Sequence, residues 1–317
     1  MAFYTGSGSI LQMGKEVAWG TAATMTDLVN FTSESLSLTV EKGDEGNLLA
    51  SKTATDRDLM GITAGGSVSF ILRPEFAGTL IQAALGGEDD VAADSDTGFY
   101  NHTISLCDVN EDLPSLTFTI DRKAATKSYI GSTISNFSLE CAAGDYVKGS
   151  FDIVAKNEVA GTIDTDITTY SVPSYRCTSA TFTIGGSTYD VSTVNLSIDN
   201  ALEDAPKTYS SGLYNGQPKH GMRNVGVNFD IPYAANVETL KNTYLTTETN
   251  ASLVLVFESS QTGYRITTTL PKVAITEVSA NVSGAGVITA SVSGEALSVG
   301  SVEPITVVIR DENSSEY

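Results

Sequence analysis

The stretch Gly61–Leu85, GITAGGSVSFILRPEFAGTLIQAAL, contains a glycine break, a short strand pattern, a proline turn and one helix pattern. Residues Gly221–Leu245, GMRNVGVNFDIPYAANVETLKNTYL, repeat the same features in the same order. In this alignment Val68-Ser69-Phe70 corresponds to Val227-Asn228-Phe229. An internal repeat indicates a chain built from more than one copy of a structural unit. The sequence therefore predicts two related modules.

The residues around the first copy extend the pattern. Phe31–Val40 alternates apolar and polar residues and predicts a half-buried strand, and Glu41–Met60 is a polar stretch of about twenty residues that predicts a long loop. After Pro74, apolar residues recur at helical spacing up to Leu85, which predicts one amphipathic helix from about Glu75. We expect this helix to cover the outer face of a sheet.

The second copy has the same neighbours. Val194–Ile198 predicts a strand, Asp199–His220 a second long polar loop, and Val237–Leu245 a second helix. Further strand patterns follow each helix: Leu116–Ile120, Tyr129–Glu140 and Tyr146–Ala155 in the first copy, and Leu253–Phe257, Ile266–Val278 and Val287–Val292 in the second. The predicted fold is mainly β, with two tandem β-sandwich or barrel modules, each carrying one short helix and one long polar loop.

The chain divides into five predicted segments. They are an N-terminal arm (1–27), a first module (28–158), a linker (159–176), a second module (177–303) and a C-terminal strand with an acidic, mobile tail (304–317). The lone Trp19 is either an anchor for the arm or an ordinary core residue.

Charge and cysteine content restrict the function. The 317 residues carry a net charge of −20, from 38 acidic and 18 basic side chains, so the chain is not expected to grip DNA. The acidity serves either solubility or a surface that lies near nucleic acid without binding it. Cys107, Cys141 and Cys177 are widely spaced and odd in number, which argues against a disulfide framework and favours a reducing compartment. With no signal-peptide pattern at its N-terminus and no long apolar run, the sequence predicts a soluble protein made in a cytoplasm.

The search for a chemical site finds no candidate. His102 and His220 are the two histidines, and both are predicted to be surface loop residues. Gly86–Gly98 is predicted to be an acidic surface loop, and its Asp94-Ser95-Asp96-Thr97-Gly98 lacks the spacing and the later glutamate of a calcium loop. We therefore predict no catalytic residue, cofactor or metal.

The order of elements, together with the opening GKEVAWGTAAT at Gly14–Thr24, resembles the major tail tube proteins of long-tailed bacteriophages. The opening is similar to the Gly-x-Glu-x-x-x-Gly-Thr start of one family of these proteins. The resemblance implies a sandwich or barrel whose inner strands join those of neighbouring subunits in a ring around a channel. Single-module members form rings of six, so a two-module chain is expected to form a pseudo-hexameric trimer.

The resemblance also implies that the long polar loops contact the next ring, together with the arm near Trp19 and the C-terminal strand. The second loop differs from the first in holding Pro206, Pro218 and two tyrosines, which leaves open whether both loops make the same contact. The candidate inter-ring residues are Trp19, Glu41, Lys42, Asp44, Glu45, Asp56, Arg57, Asp58, Glu203, Asp204, Lys207 and Tyr214.

The function implied is mechanical. Stacked rings form a tube in the virion tail, assembled in the host cytoplasm, whose acidic lumen lets double-stranded DNA and the tape-measure protein pass without specific binding. Tail terminator and distal tail proteins are the expected partners at the tube ends, and no membrane binding is expected. The alternative is a receptor-binding or adhesin-like β-sandwich. A β-sandwich glycosidase is disfavoured because the chain has one tryptophan.

Overall fold

The computed structural model describes residues 3–44, 56–205, 207–247, 249–282, 285–300 and 302–317. Strands make up 53% of it and helices 9%, which confirms the mainly β fold class. The strands are β1 (Ile10–Lys15), β2 (Asp27–Leu28), β3 (Phe31–Glu34), β4 (Ser37–Asp44), β5 (Arg57–Ile71), β6 (Gly86–Ala93), β7 (Tyr100–Leu106), β8 (Leu116–Asp121), β9 (Thr126–Ala142), β10 (Lys148–Ala155), β11 (Asn157–Ala160), β12 (Tyr175–Ile184), β13 (Ser187–Thr188), β14 (Thr193–Asp199), β15 (Asn224–Pro232), β16 (Ala251–Ser259), β17 (Arg265–Ala280), β18 (Thr289–Ala296) and β19 (Thr306–Asp311). The helices are α1 (Pro74–Leu85) and α2 (Ala235–Leu240), and α2 continues as a π turn over Lys241–Leu245.

A central antiparallel sheet spans both halves of the chain. Its strands lie in the order β4, β5, β10, β9, β14, β15, β18 and β17, with the short β3 beside β5 next to β4. Apolar side chains alternate along these strands, and Phe137, Phe151, Val227 and Phe229 are at most 3% exposed on the core face. The pairing of β9 with β14 joins the first half to the second.

The strands of the two halves are paired antiparallel in the same order. In the first half β1 pairs with β8, β8 with β9, β9 with β10, β10 with β5, and β5 with β4. In the second half β12 pairs with β16, β16 with β17, β17 with β18, β18 with β15, and β15 with β14. The long strands β9 and β17 each run from the central sheet into a second layer, where β11 and β19 lie beside their first residues.

The predicted N-terminal arm contains a strand that its sequence does not indicate. Ile10–Lys15 forms β1, which lies between β2 and β8, and Leu11 and Met13 are fully buried. Because the glycines of this segment are irregularly spaced, its sequence shows no strand pattern, and the short strand β1 is not predicted. The predicted linker begins within β11, and its Asp164 and Ile167 carbonyls accept hydrogen bonds from the Gln12 side chain at 2.7 and 2.6 Å.

Helix α1 begins and ends as its sequence predicts. Pro74 occupies the first turn, where its missing N–H costs nothing, and Gly86 ends the helix with φ of 83°. The helix is buried on nearly every side, because the Tyr317 ring packs against Gly78, where any Cβ would overlap it. Helix α1 therefore lacks the exposed polar face of the predicted amphipathic helix.

Helix α2 buries only Val237 and Leu240, so it fits the predicted amphipathic helix on a sheet. Within the described residues, neither helix is long and apolar enough to cross a membrane.

Two further sequence expectations are wrong. The acidic stretch after α1 is strand β6, paired with β7, rather than a surface loop. Cys141 on β9 and Cys177 on β12 lie in contact as a disulfide pair with Cα atoms 5.6 Å apart, and Cys107 is free and buried. Wide spacing along the chain did not prevent this pairing because β9 and β12 are neighbours in the fold.

Candidate assembly and channel surfaces

The face of the central sheet that points away from the core is polar and acidic. Neighbouring residues on this face include Ser138 beside Ser150 and Ser197, and Asn228 beside Asn195 and Ser293. Carboxylates are spread across it from both halves: Glu140, Asp152, Asp199, Asp230, Glu277 and Glu295. Lys148 lies on the same face, where Asp145 binds its ammonium at 2.5 Å.

Short hydroxyl and amide side chains hold some of these carboxylates. Ser291 and Thr193 donate hydrogen bonds to the Asp230 carboxylate at 2.6 and 2.8 Å. Asp152 accepts hydrogen bonds from Ser67 Oγ and, at 3.3 Å, from Asn136 Nδ2. These neutral partners do not cancel the negative charge of the two carboxylates.

The two ends of the central sheet are open edges. In the part of the chain that the structure describes, β4 has a neighbour only on its β5 side. The last residues of β17, Glu277–Ala280, likewise have only β18 beside them. Leu38 and Val40 on β4 are 39% and 42% exposed, which is high for aliphatic residues in a sheet. Open strand edges with apolar side chains favour pairing with another strand.

The junction between the two halves shows how such an edge is closed. Strand β14 runs antiparallel to the end of β9, with Ile198 opposite Phe137 and Ser197 opposite Ser138. The Asn200 backbone N–H donates to the Ser135 carbonyl at 2.9 Å and continues the ladder. Ile198 is only 2% exposed in this setting. Strand addition therefore buries the apolar side chains of an edge strand.

The first polar segment is a β-hairpin rather than a loop at its described ends. Strands β4 and β5 remain paired out to Asp44 and Arg57, whose side chains form an ion pair at 2.9 Å. Glu45 lies outside the described residues. Lys42, Asp56 and Asp58 are exposed on the hairpin. Both faces of this hairpin are exposed to solvent. Its sequence therefore lacks the alternation of apolar and polar residues that marks a half-buried strand.

The second polar segment remains irregular and packs against the base of that hairpin. The Ile62 N–H on β5 donates to the Leu213 carbonyl at 2.9 Å, and the Lys207 ammonium binds the Glu41 carboxylate at 2.6 Å. Asn157 Nδ2 donates to the Tyr214 hydroxyl at 3.3 Å. The two segments that the sequence treats as separate contacts therefore form one continuous surface, here called the hairpin surface.

Trp19 lies at the edge of the hairpin surface. Its indole N–H donates to the Gly131 carbonyl at 3.1 Å, and the Lys156 ammonium lies 4.7 Å from the ring centroid. Asp204 and Trp19 line the same small cavity, and Glu203 pairs with Lys219 through a backbone bridge. The half-buried tryptophan thus ties the N-terminal segment to the β9–β11 region.

His102 is buried, contrary to the predicted surface loop. Its ring on β7 contacts the Asp89 carboxylate at 2.7 Å, the Asn313 carbonyl at 2.9 Å and the Asp311 carboxylate at 3.4 Å. Burial lowers the pKa of His102, but the hydrogen bonds to Asp311 and Asp89 outweigh burial and raise the pKa to about 10. No local pattern in the sequence predicts this cluster, since its residues meet only through the pairing of β7 with β6 and β19.

The calcium-like stretch has a different role. The Arg310 guanidinium on β19 binds the Asp94 carboxylate at 3.1 Å and also contacts Asp96. An arginine therefore neutralises the carboxylates that would have to bind a cation. The C-terminal segment is equally tied down, because the Tyr317 N–H donates to the Asp89 carboxylate at 3.1 Å. The tail is therefore packed at its end, not mobile as expected.

A strand-dominated subunit with open edges at both ends of one sheet is the architecture of a self-assembling structural protein. The family model described as phage tail tube protein matches residues 6–296. The chain belongs to this family, so it is a structural protein of the phage tail and not an enzyme. No match was found among curated proteins.

Proposed function

We propose that three copies of the chain close into a ring of six related modules, and that rings stack head to tail into the tail tube. The observation that carries this proposal is the repeated neighbour order, β1-β8-β9-β10-β5-β4 in one half and β12-β16-β17-β18-β15-β14 in the other. Two halves with one pairing scheme are suited to occupy equivalent places in a ring.

Matching β-bulges support the duplication. The β8–β9 ladder shifts register between Leu116 and Phe118, and the β16–β17 ladder shifts between Ala251 and Leu253. The register also shifts between Asp152 and Ile153 in the β10–β9 ladder. The β17–β18 ladder has the corresponding shift between Ile275 and Glu277. Bulges are specific features within a family, so their recurrence favours descent from one module.

The acidic face of the central sheet is proposed to line the channel. Its opposite face is the packed core, so this is the face that a closed ring leaves in contact with solvent. A lumen lined by carboxylates repels the phosphates of double-stranded DNA and keeps them from adhering during passage. The tape-measure protein is proposed to occupy the same channel before the DNA.

The hairpin surface is proposed to contact the next ring. It is exposed, charged and continuous between the halves, and its contacts include the ion pairs of Arg57 with Asp44 and Lys207 with Glu41. Tail terminator and distal tail proteins are proposed to bind the faces left free at the two tube ends.

Electron microscopy of the purified protein tests the proposal. Tubes with a central channel are expected, whereas persistent discrete particles under all conditions would contradict it and favour the adhesin-like alternative. Replacing residues 45–56 with an Asn-Gly turn keeps Asp44 paired with Arg57. This variant is expected to form rings that do not stack, and tubes of normal length would exclude the hairpin from ring stacking.

Channel charge is tested in phage carrying Glu140→Lys with Asp199→Lys. Positive side chains in the lumen are expected to slow DNA ejection, and the effect is expected to weaken at high salt. The matched control is Asp108→Lys with Asp166→Lys, which changes the same net charge at exposed loop positions outside the central sheet. Equal ejection from both variants would mean that the acidity serves solubility.

A further inference from the structure

We infer that the open edge of β4 in one copy pairs antiparallel with the end of β17 in the next copy, with Ser37 opposite Ser279 and Leu38 opposite Val278. This inference rests on the proposed ring and specifies its subunit interface. The partner is a second copy of this chain, because the closed form of the same junction already exists inside the chain between β14 and β9.

Shared partners give the equivalent residues at the β17 edge. Asp152 lies between Asn136 and Ser67, and Ser293 lies between Glu277 and Asn228. Asp152 and Ser293 correspond because each is the last residue before the register shift in its ladder, so Asn136 corresponds to Glu277. Counting along the two strands, Phe137 corresponds to Val278 and Ser138 to Ser279.

The β4 edge follows in the same way. Because Ser67 corresponds to Asn228, Gly65 corresponds to Gly226 two residues earlier. Ser37 pairs with Gly65, and Ser197 pairs with Gly226. Ser37 thus corresponds to Ser197. Since Ser197 lies opposite Ser138 at the internal junction, Ser37 is placed opposite Ser279 at the junction between copies.

The open side of β17 is the side that corresponds to the one covered by β14 on β9. Val273 pairs with Ala251 of β16 and with Ala296 of β18, so these two strands flank β17 on opposite sides. Glu277–Ala280 retains β18 on one side, which leaves the β16 side open among the described residues. In the first half, β14 occupies the side of β9 opposite β10, which is the equivalent position.

The apolar side chains at both edges are more exposed than their counterparts at the internal junction, as expected where a neighbouring strand is absent. Leu38 is 39% exposed, whereas its counterpart Ile198 is 2% exposed. Val278 is half-buried, whereas its counterpart Phe137 is 3% exposed. Pairing the two edges places Leu38 beside Val278 and buries both side chains as the internal junction does.

Cysteine cross-linking tests the register. The Asn200 N–H bonds the Ser135 carbonyl, so by alternation Ser197 and Ser138 form a non-hydrogen-bonded pair. Such pairs have Cα atoms about 4.5 Å apart, within the range of a disulfide. Ser37→Cys with Ser279→Cys is therefore expected to link neighbouring copies on mild oxidation of assembled tubes, giving covalent dimers and trimers on a non-reducing gel.

Three controls make the result specific. Ser138→Cys with Ser197→Cys occupies the same geometry within one chain and is expected to link without changing the subunit mass. Ser37→Cys with Glu277→Cys is displaced by one pleat and is expected to link at least several-fold less, because diagonal neighbours lie about 7–8 Å apart. A mixture of the two single variants, Ser37→Cys and Ser279→Cys, is expected to stop at dimers.

The outcomes separate this inference from the proposal beneath it. Cross-linked trimers at Ser37 and Ser279 support both. Tubes that form but link only in the internal control, or link better in the displaced pair, overturn the proposed register and leave the tube intact. A folded wild-type protein that never assembles overturns the ring and the interface together.

Discussion

Ile198 and Leu38 hold matching positions in the two halves of the molecule, yet one is 2% exposed and the other 39%. The difference comes from a single neighbouring strand, since β9 covers the edge of β14 and no described strand covers the outer edge of β4. An aliphatic side chain costs free energy when it remains in water. The comparison supports the proposed ring, in which β9 closes one edge within the chain and the edge of β4 is left for pairing with another copy.

The largest expected difference is in monomer stability at these two positions. Ile198→Ala removes a fully packed side chain and is expected to lower the free energy of unfolding by about 2–5 kcal/mol. Leu38→Ala is expected to lower it by less than about 1 kcal/mol because the side chain is partly in water. Urea denaturation of both variants measures this, and equal losses would contradict the view of β4 as an open edge.

The role of the β4 edge is also tested by measuring tube formation. Leu38→Lys is expected to leave the subunit folded and to abolish tube formation, because a charge replaces an apolar contact between copies. Sedimentation after assembly measures the tube fraction. Thr39→Lys is the matched control, because it places the same charge at the neighbouring exposed position on the other face of β4, and tubes are expected to form. Normal tubes from Leu38→Lys would remove β4 from the interface.

The halves also meet where β7 pairs with β19, and this seam is polar at His102. The folded-state pKa of His102 is raised to about 10 from 6.5, so its stabilisation is fully present below about pH 6.5. The free energy of unfolding is therefore expected to fall as the pH rises from about 6.5 to about 10.

The free energy of unfolding, measured across this pH range, gives the slope of stability against pH. His102→Gln is expected to reduce this slope. An unchanged slope in that variant would assign the pH dependence to other groups. The apolar β9–β14 junction is expected to contribute none, so Ile198→Ala is the control that shifts the curve without changing its slope.

The smallest expected effect concerns the hairpin surface. Glu41 and Lys207 form an ion pair whose side chains remain 56% and 32% exposed, and such pairs contribute about 0.2–1 kcal/mol. A double-mutant cycle with Glu41→Gln and Lys207→Gln measures this coupling. Shorter tubes from these variants, at nearly unchanged subunit stability, are expected if the surface contacts the next ring. Unchanged tube length would restrict the pair to a role inside the chain.

Much of the central sheet is predictable from alternation and from the Pro74 turn, yet the register of the repeat is not. The sequence aligns Val68 with Val227, whereas shared strand partners match Val68 with Phe229. A shift of two residues keeps the same face of a strand toward the core, so hydrophobic patterning does not distinguish the two alignments. Only the pairing partners fix the correspondence.

The candidate surfaces were predictable to different degrees. The polar residues around Glu41 and Tyr214 stand out in the sequence, but polar composition does not distinguish a wet hairpin from a loop. The contact between Ile62 and Leu213 depends on long-range packing and leaves no local pattern. Asp89 and His102 form a buried cluster for the same reason, because their strands and the C-terminal segment meet only in the folded chain.

The central claim is that one chain supplies two modules of the tube wall. The symmetry of end-on views of assembled tubes, determined together with the number of chains per ring, tests it most directly. We predict three chains per ring and a six-fold outline in which internal β9–β14 junctions alternate with β4–β17 junctions between copies. Rings of six chains, each contributing a single module to the wall, would contradict the account.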